Sequence, residues 1–294
     1  MGDLAPAAPP MTVALALREA AERLAATSDT ARLDAELLMA HALGVTRSDL
    51  LLRYQRDASP PTFTPLVERR LAHEPVAYIT GRQEFFGLPF HVTSDVLIPR
   101  GDSEVLVEAA LAARPDARLV LDCGTGSGAL LLAVLTHLPE AHGVGIDRSE
   151  AARVVAQGNA EALGLASRAT LRLADWEQPG WADPLGGPFD LILANPPYVE
   201  DAAPLARSVR EHEPAGALFA GADGLEAYRV LVPQLAGLLA PGGAALLEIG
   251  ATQADAVSAL AYDSGFSVIC HRDLGDRERV LEFKIPLGIC GRGS

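Results

Sequence analysis

The stretch LILANPPYVE, Leu191 to Glu200, sets an asparagine, two prolines and a tyrosine at the end of an apolar run. That order of residues suits chemistry better than a plain turn. The side-chain oxygen of Asn195 can accept one N–H, and the carbonyl of Pro196 can accept another. Pro196 and Pro197 fix φ and carry no N–H, so the carbonyl is held still without a competing donor beside it. Tyr198 adds a flat ring able to stack on a planar group. Two fixed oxygen acceptors orient a planar nitrogen and favour the positive charge that builds on it as it attacks an electrophile.

A second constellation lies upstream, in LVLDCGTGSGALLLAVL, where Gly124, Gly126 and Gly128 join an apolar strand to an apolar helix. Alternating glycines allow a sharp turn and a close approach of ligand to backbone, with Thr125 and Ser127 between them as further contacts. Asp147 lies 19 residues beyond Gly128, at the end of the next strand, where an acid can accept both hydroxyls of a ribose. Gly124, Gly126 and Ala129 also satisfy G-x-G-x-x-A, so a dinucleotide site stays open. Asp122 speaks against a pyrophosphate, which it would repel, and suits an ammonium held through water or backbone. The helix start also lacks a basic residue. A third strand end, RLADWEQP, offers Asp175 to an adenine amino group and Trp176 to the ring face, where stacking contributes roughly 1–3 kcal/mol.

These residues need a scaffold that brings strand ends together. Apolar strand candidates are 119–122, 141–147, 169–173, 191–194, 244–249 and 267–270, with helical stretches at 104–113, 129–138, 150–163, 225–239 and 253–264. Their alternation predicts an α/β fold, a mostly parallel sheet with helices on both faces, in which ligands sit beyond the C-terminal ends of the strands. Ahead of it, residues 1–73 read as a small helical domain. Val13, Leu17, Ala20, Ala21 and Leu24 form one apolar stripe, and Leu33, Leu37, Ala40 and His41 a second. Residues 74–102 read as a β-hairpin linker around Gly87-Leu88-Pro89, and residues 103–294 as the catalytic domain.

The chain has 294 residues and a formal net charge of -14, a poor balance for gripping nucleic acid through its phosphates. Cys123, Cys270 and Cys290 are scattered and are expected to be idle thiols in a reducing cytoplasm. No apolar run approaches a membrane span, no metal cluster is expected, and the opening MGDLAPAAPP and closing GRGS read as tails without a secretory signal. Nothing in the sequence demands a second copy, so a monomer is expected.

Two motifs carry a resemblance. Asp-x-Gly-x-Gly-x-Gly at 122–128 resembles the first motif of class I S-adenosylmethionine-dependent methyltransferases, and Asn-Pro-Pro-Tyr resembles the signature of methyltransferases acting on base amines or side-chain amides. With EPVAYITGRQEFFGLPF, VLIPRGDSE, GIDRSEAA, EHEPAGALFAGADGLEAYR and PGGAALLEIGATQ, the chain is similar over residues 12–283 to the release factor glutamine methyltransferases, the PrmC/HemK proteins. That resemblance implies a Rossmann-like, seven-stranded sheet and S-adenosylmethionine as methyl donor, with S-adenosylhomocysteine as product. It implies N5-methylation of the glutamine in the Gly-Gly-Gln loop of peptide chain release factors 1 and 2, with the helical domain docking the factor. Asn195, Pro196 and Tyr198 would be catalytic. Asn195, Pro196, Pro197 and Tyr198 would hold the acceptor. Asp122, Gly124–Gly128, Asp147, Asp175, Trp176 and Asn195 would hold the cofactor. The sequence departs from the family pattern at His73, where glycine is usual, at Gly101, where proline is, and in DLGDRER at 273–279, where the glycine stands one place early. The alternative is a nucleic acid adenine or guanine N-methyltransferase. A dinucleotide-dependent oxidoreductase and a non-catalytic scaffold are more distant readings.

Overall fold

The structure, a computed structural model, describes residues 11–286. Both tail segments named above, and Cys290, lie outside the described residues. The chain forms two compact units, one running to Gly81 and including Ala206–His212, the other comprising Arg82–Leu205 and the chain from Glu213 onward.

The first unit is helical: α1 (Val13–Leu24), α2 (Ala31–Leu43), α3 (Arg47–Arg53), α4 (Phe63–Leu71) and α5 (Val76–Thr80). Thr12 caps α1, its hydroxyl accepting the Leu15 N–H at 3.4 Å. Val13, Leu17, Ala20 and Leu24 are buried as the periodicity predicts, with Ala16 rather than Ala21 completing the stripe. The stripe read in α2 was out of phase. Leu33, Leu37 and His41 are exposed, Ala40 alone of that stripe is buried, and the buried face carries it with Ala35, Leu38 and Met39 beside Asp34 and Glu36. Two acids enter this face because each is paired. Asp34 accepts from Arg70 Nε at 2.7 Å and Ser28 Oγ at 2.7 Å, and Glu36 accepts from Arg32 Nε at 2.5 Å and Arg47 Nε at 2.8 Å. His73, standing where the resembling family has glycine, has φ 66°, a backbone conformation glycine adopts freely.

The second unit opens with a hairpin, β1 (Arg82–Phe85) and β2 (Leu88–His91), turning at Phe86-Gly87 so that Pro89 lies inside a strand. Then come α6 (Glu104–Ala113), β3 (Leu119–Cys123), α7 (Ala129–His137), β4 (His142–Asp147), α8 (Glu150–Ala162), β5 (Ala169–Leu173) and β6 (Phe189–Ala194). The next helix, α9 (Arg207–His212), falls in the first unit. The second unit closes with α10 (Glu226–Leu235), β7 (Leu239–Glu248), α11 (Ala254–Asp263), β8 (Ser267–Arg272) and β9 (Glu278–Lys284). Seven strands form one sheet in the order β5-β4-β3-β6-β7-β9-β8, with β9 antiparallel to both neighbours. Alternate side chains of β6 enter opposite cores, Leu191 and Leu193 on one face and Ile192 and Ala194 on the other. The helix α7 is apolar nearly all round and is buried along Ala129–Leu135, which fixes the glycine turn that starts it. Among the described residues, no helix is long and apolar enough to cross a membrane.

Candidate active site

The winding of the sheet reverses between β3 and β6, which pair in parallel with Cys123 opposite Ala194. Gly124 and Asn195 are therefore the first residues beyond the paired ends of two adjacent strands, at the place where open α/β sheets bind ligands. A cavity of about 320 Å³ opens there, lined by Gly124–Ser127, Asp147, Asp175, Trp176, Asn195 and Pro197 among others.

The glycine turn is built from the sheet outward. Gly124, Gly126 and Gly128 have φ of 77°, 53° and 84°, which other residues rarely adopt. Its N–H groups are largely committed: Gly124 and Thr125 donate to the Ile146 carbonyl at 2.9 and 2.8 Å, Gly126 to Asp147 Oδ2 at 3.0 Å, and Gly128 to the Thr125 carbonyl at 2.7 Å. A turn that holds a diphosphate instead aims such donors at the ligand. Among the described residues, the charged groups lining the cavity are Asp95, Asp147, Asp175, Glu177 and Glu226 against Arg148. A surface of this kind attracts cationic ligands and repels phosphates.

Asp122 is fully buried beneath the turn and is not among the described residues lining the cavity. Its Oδ2 accepts from Thr125 Oγ1 at 2.6 Å, while Oδ1 has no partner within hydrogen-bond distance among the described residues, although the Leu131 backbone N–H is near enough to the carboxylate to favour its charged form. Burial first, with the nearby negative charge of Asp147 adding to it, pushes its pKa up to about 7 against the pull of the Thr125 bond. Any influence on a ligand passes through the turn, as field or through backbone. Asp147 faces the cavity with Oδ1 accepting the Ser149 N–H at 2.8 Å. Burial raises its pKa, and the N–H groups of Ser149 and Gly126 oppose that rise.

Asp175 lines the cavity while its Oδ1 accepts the Glu177 N–H at 3.0 Å. The Trp176 ring contributes an edge, with Cζ3 and Cη2 3.2 Å from where a β-carbon on Gly124 would stand. Trp176 thus packs on the turn, and a β-carbon at 124 would crowd its ring besides straining a backbone at φ 77°. Ser127 is buried, and its carbonyl receives Asn159 Nδ2 at 2.8 Å.

Asn195 is half-buried and donates from Nδ2 to Ser103 Oγ at 3.5 Å. Neither its Oδ1 nor the Pro196 carbonyl accepts a hydrogen bond among the described residues. Pro196 itself is buried, and Pro197 lines the cavity. Tyr198 departs from the sequence reading. Its ring is not among the described residues that line the cavity, and its hydroxyl donates to Glu248 Oε1 at 3.4 Å. Burial first, and then the Glu248 carboxylate, pushes the phenol pKa up to about 12. This placement gives a donor to Glu248, a carboxylate 1% exposed at the end of β7 that is costly to bury without one.

Sequence reasoning missed several supports. Gln253 Nε2 donates to the carbonyls of Tyr198 at 3.0 Å and Gly224 at 3.2 Å, fixing the backbone just past Asn195. Asn159 exchanges two hydrogen bonds with the His91 backbone, at 2.8 and 2.9 Å, and so ties the hairpin to the glycine turn. The loops 95–99 and 214–220 add further walls. Their only signal was their position within stretches carrying the family resemblance.

Residues 16–81 match the family model of the PrmC N-terminal domain, and residues 116–263 match that of a methyltransferase domain. The chain is 46% identical over 264 residues to the release factor glutamine methyltransferase of Moorella thermoacetica, covering 87% of this chain and 91% of that one. It is 44% identical over 284 residues to that of Cereibacter sphaeroides, covering 94% and 99%. Among solved structures, the hMettl16 catalytic domain, in complex with the MAT2A 3'UTR hairpin 6, is similar at a TM-score of 0.53. It is 14% identical, covering 75% of this chain and 82% of that chain, a likeness of fold alone.

Proposed function

The chain belongs to the release factor glutamine methyltransferase family, and from that premise we propose that its cavity seats S-adenosylmethionine on the glycine turn and presents a release factor's glutamine amide to Asn195. The observation that carries this reading is the pairing of an acidic, phosphate-averse glycine turn with two unengaged oxygen acceptors on the adjoining strand. The cavity residues suit that cofactor. In this reading Asp147 accepts from the ribose hydroxyls, Asp175 and Trp176 hold the adenine, and the surrounding carboxylates favour an ammonium and a sulfonium.

When bound, the cofactor supplies a methyl group on positively charged sulfur. The protein's part is to make a poor nucleophile attack it. Asn195 Oδ1 and the Pro196 carbonyl each accept one N–H of the glutamine side chain, holding the nitrogen lone pair toward the methyl carbon. As the new N–C bond forms and the S–C bond breaks with its electron pair leaving on sulfur, both oxygens stabilise the charge growing on nitrogen. The nitrogen then releases a proton to solvent, which leaves a neutral secondary amide, so no tuned base is required at the transfer step. The modified atom is N5 of the glutamine in the Gly-Gly-Gln loop of release factors 1 and 2. The helical unit is the docking element for the factor.

Methylation of a nucleic acid base fits less well. It asks for phosphate neutralisation by a chain of net charge -14, and for a flipped-out base when the target is duplex. Incubation with labelled S-adenosylmethionine and either purified release factor or oligonucleotides separates the two. Label in the release factor supports the proposal, and label confined to the oligonucleotides overturns it.

A further inference from the structure

Two loops wall the cavity without belonging to the sheet. One, following the hairpin, contributes Asp95, Val96, Leu97 and Pro99. The other contributes Pro214, Gly216, Ala217, Phe219 and Ala220. They are 113 residues apart in sequence where they meet, and one side chain joins them. Glu213 has a side chain only 1% exposed. Its Oε2 accepts the Ile98 backbone N–H at 3.2 Å, and its Oε1 accepts from the Arg100 guanidinium. Both oxygens of one buried carboxylate are thus spent on the same short segment, and the wall residues Pro99 and Pro214 flank the contact. The second loop has another tie, Arg148 Nη2 donating to the Gly216 carbonyl at 3.0 Å, from a residue next to Asp147.

We infer that Glu213 is a positioning residue that locks the 95–100 and 213–220 loops into one wall and so keeps the ligand cavity formed before binding. A buried carboxylate in this place would be costly to bury without both donors. The Arg148 tie holds the second loop to β4 but cannot hold the first. Without Glu213 the 95–100 segment loses its tie to the 213–220 loop, and the apparent affinity falls by the fraction of protein that retains the closed wall. The ligand's identity rests on the methyltransferase reading, and the wall itself does not.

The test is amide hydrogen exchange together with S-adenosylhomocysteine titration, on the full chain. In Glu213→Ala the Ile98 amide exchanges faster while those of Leu121 and Leu193 in the sheet stay protected, and the dissociation constant rises about ten-fold if one molecule in ten keeps the closed wall. Glu213→Gln keeps an oxygen for Ile98 and restores most of the protection, whereas Glu213→Met, of similar volume but without an oxygen acceptor, does not, which a merely space-filling role for the side chain does not predict. If Glu213→Ala fails to fold, Arg100→Ala decides, because that side chain is 41% exposed and its removal leaves no core cavity. Weaker S-adenosylhomocysteine binding then supports the clamp, and unchanged binding overturns it. Unchanged Ile98 exchange in a folded Glu213→Ala chain also overturns it. If the unaltered chain does not bind S-adenosylhomocysteine, the functional reading fails, yet faster Ile98 exchange still supports the clamp and unchanged exchange still refutes it.

Discussion

Gly124 and Asn195 are side by side at the centre of the sheet, each one residue beyond the paired Cys123 and Ala194. The register of two parallel strands thus sets the distance between a cofactor turn and an acceptor clamp. Neither motif needs a long loop to find the other, which limits how far the reacting atoms can drift apart.

Asn195→Ala removes one of the two oxygens without touching the turn. Turnover is expected to fall roughly 100- to 1,000-fold, the range seen when one donor is removed from a preorganised charge-stabilising site. Affinity for S-adenosylhomocysteine should stay close to that of the unaltered chain, as titration calorimetry would reveal. Equal turnover in the variant means that Asn195 does not clamp the acceptor.

Asp147→Ala acts on the other side of the site. It deletes the candidate ribose acceptor and also frees the Gly126 N–H that Oδ2 now holds at 3.0 Å. Hydrogen bonds to a charged group contribute about 1.5–3 kcal/mol each, so the dissociation constant should rise roughly ten- to a hundred-fold. The rate at saturating cofactor should change much less, and an unchanged dissociation constant contradicts the ribose role.

Asp122 gives a prediction about stability. Its pKa lies at about 7 in the folded chain against an ordinary 3.8. Between these values the folded protein holds a proton that the unfolded chain has released. Stability therefore falls as pH rises through this window, by about 1.4 kcal/mol per unit at most from this group, and levels off above it. Asp122→Asn keeps an oxygen for Thr125 and removes the titration. Urea unfolding should show the variant gaining on the unaltered chain from pH 5 toward pH 8, whereas a constant difference excludes a raised Asp122 pKa.

Tyr198→Phe separates the two readings of the tyrosine. Stacking on the acceptor needs the ring, which phenylalanine keeps; the observed bond to Glu248 needs the hydroxyl. The expected result is a stability loss of about 1 kcal/mol, measured by denaturant unfolding, with S-adenosylhomocysteine binding retained. Unaltered stability combined with a large loss of turnover points instead to a direct role of the hydroxyl at the acceptor.

Strand ends were legible because apolar runs stop abruptly at Asp122, Asp147 and Asn195, and a buried parallel strand has few other ways to read. The strand β9 was not read as one, since ERVLEFK is charged in places. Its Glu282 is buried all the same, accepting from His271 Nε2 at 2.8 Å and pairing with Lys284. The α2 stripe failed for a related reason, because Asp34 and Glu36 are buried with arginine partners, of which Arg47 and Arg70 come from elsewhere in the helical unit and only Arg32 from α2 itself. Contacts such as Glu213 with Arg100, or Gln253 with the Tyr198 carbonyl, depend on loops meeting in space, and no local pattern of residues announces them.

The most direct measurement is the mass of tryptic peptides from a release factor after reaction with this protein and S-adenosylmethionine, run beside the Asn195→Ala variant. One added methyl group, assigned by fragmentation to the glutamine side chain of the Gly-Gly-Gln peptide and lost with the variant, is the predicted result. A methyl group on another residue, or the same modification at full yield with the variant, contradicts an acceptor amide held by Asn195 against the glycine turn.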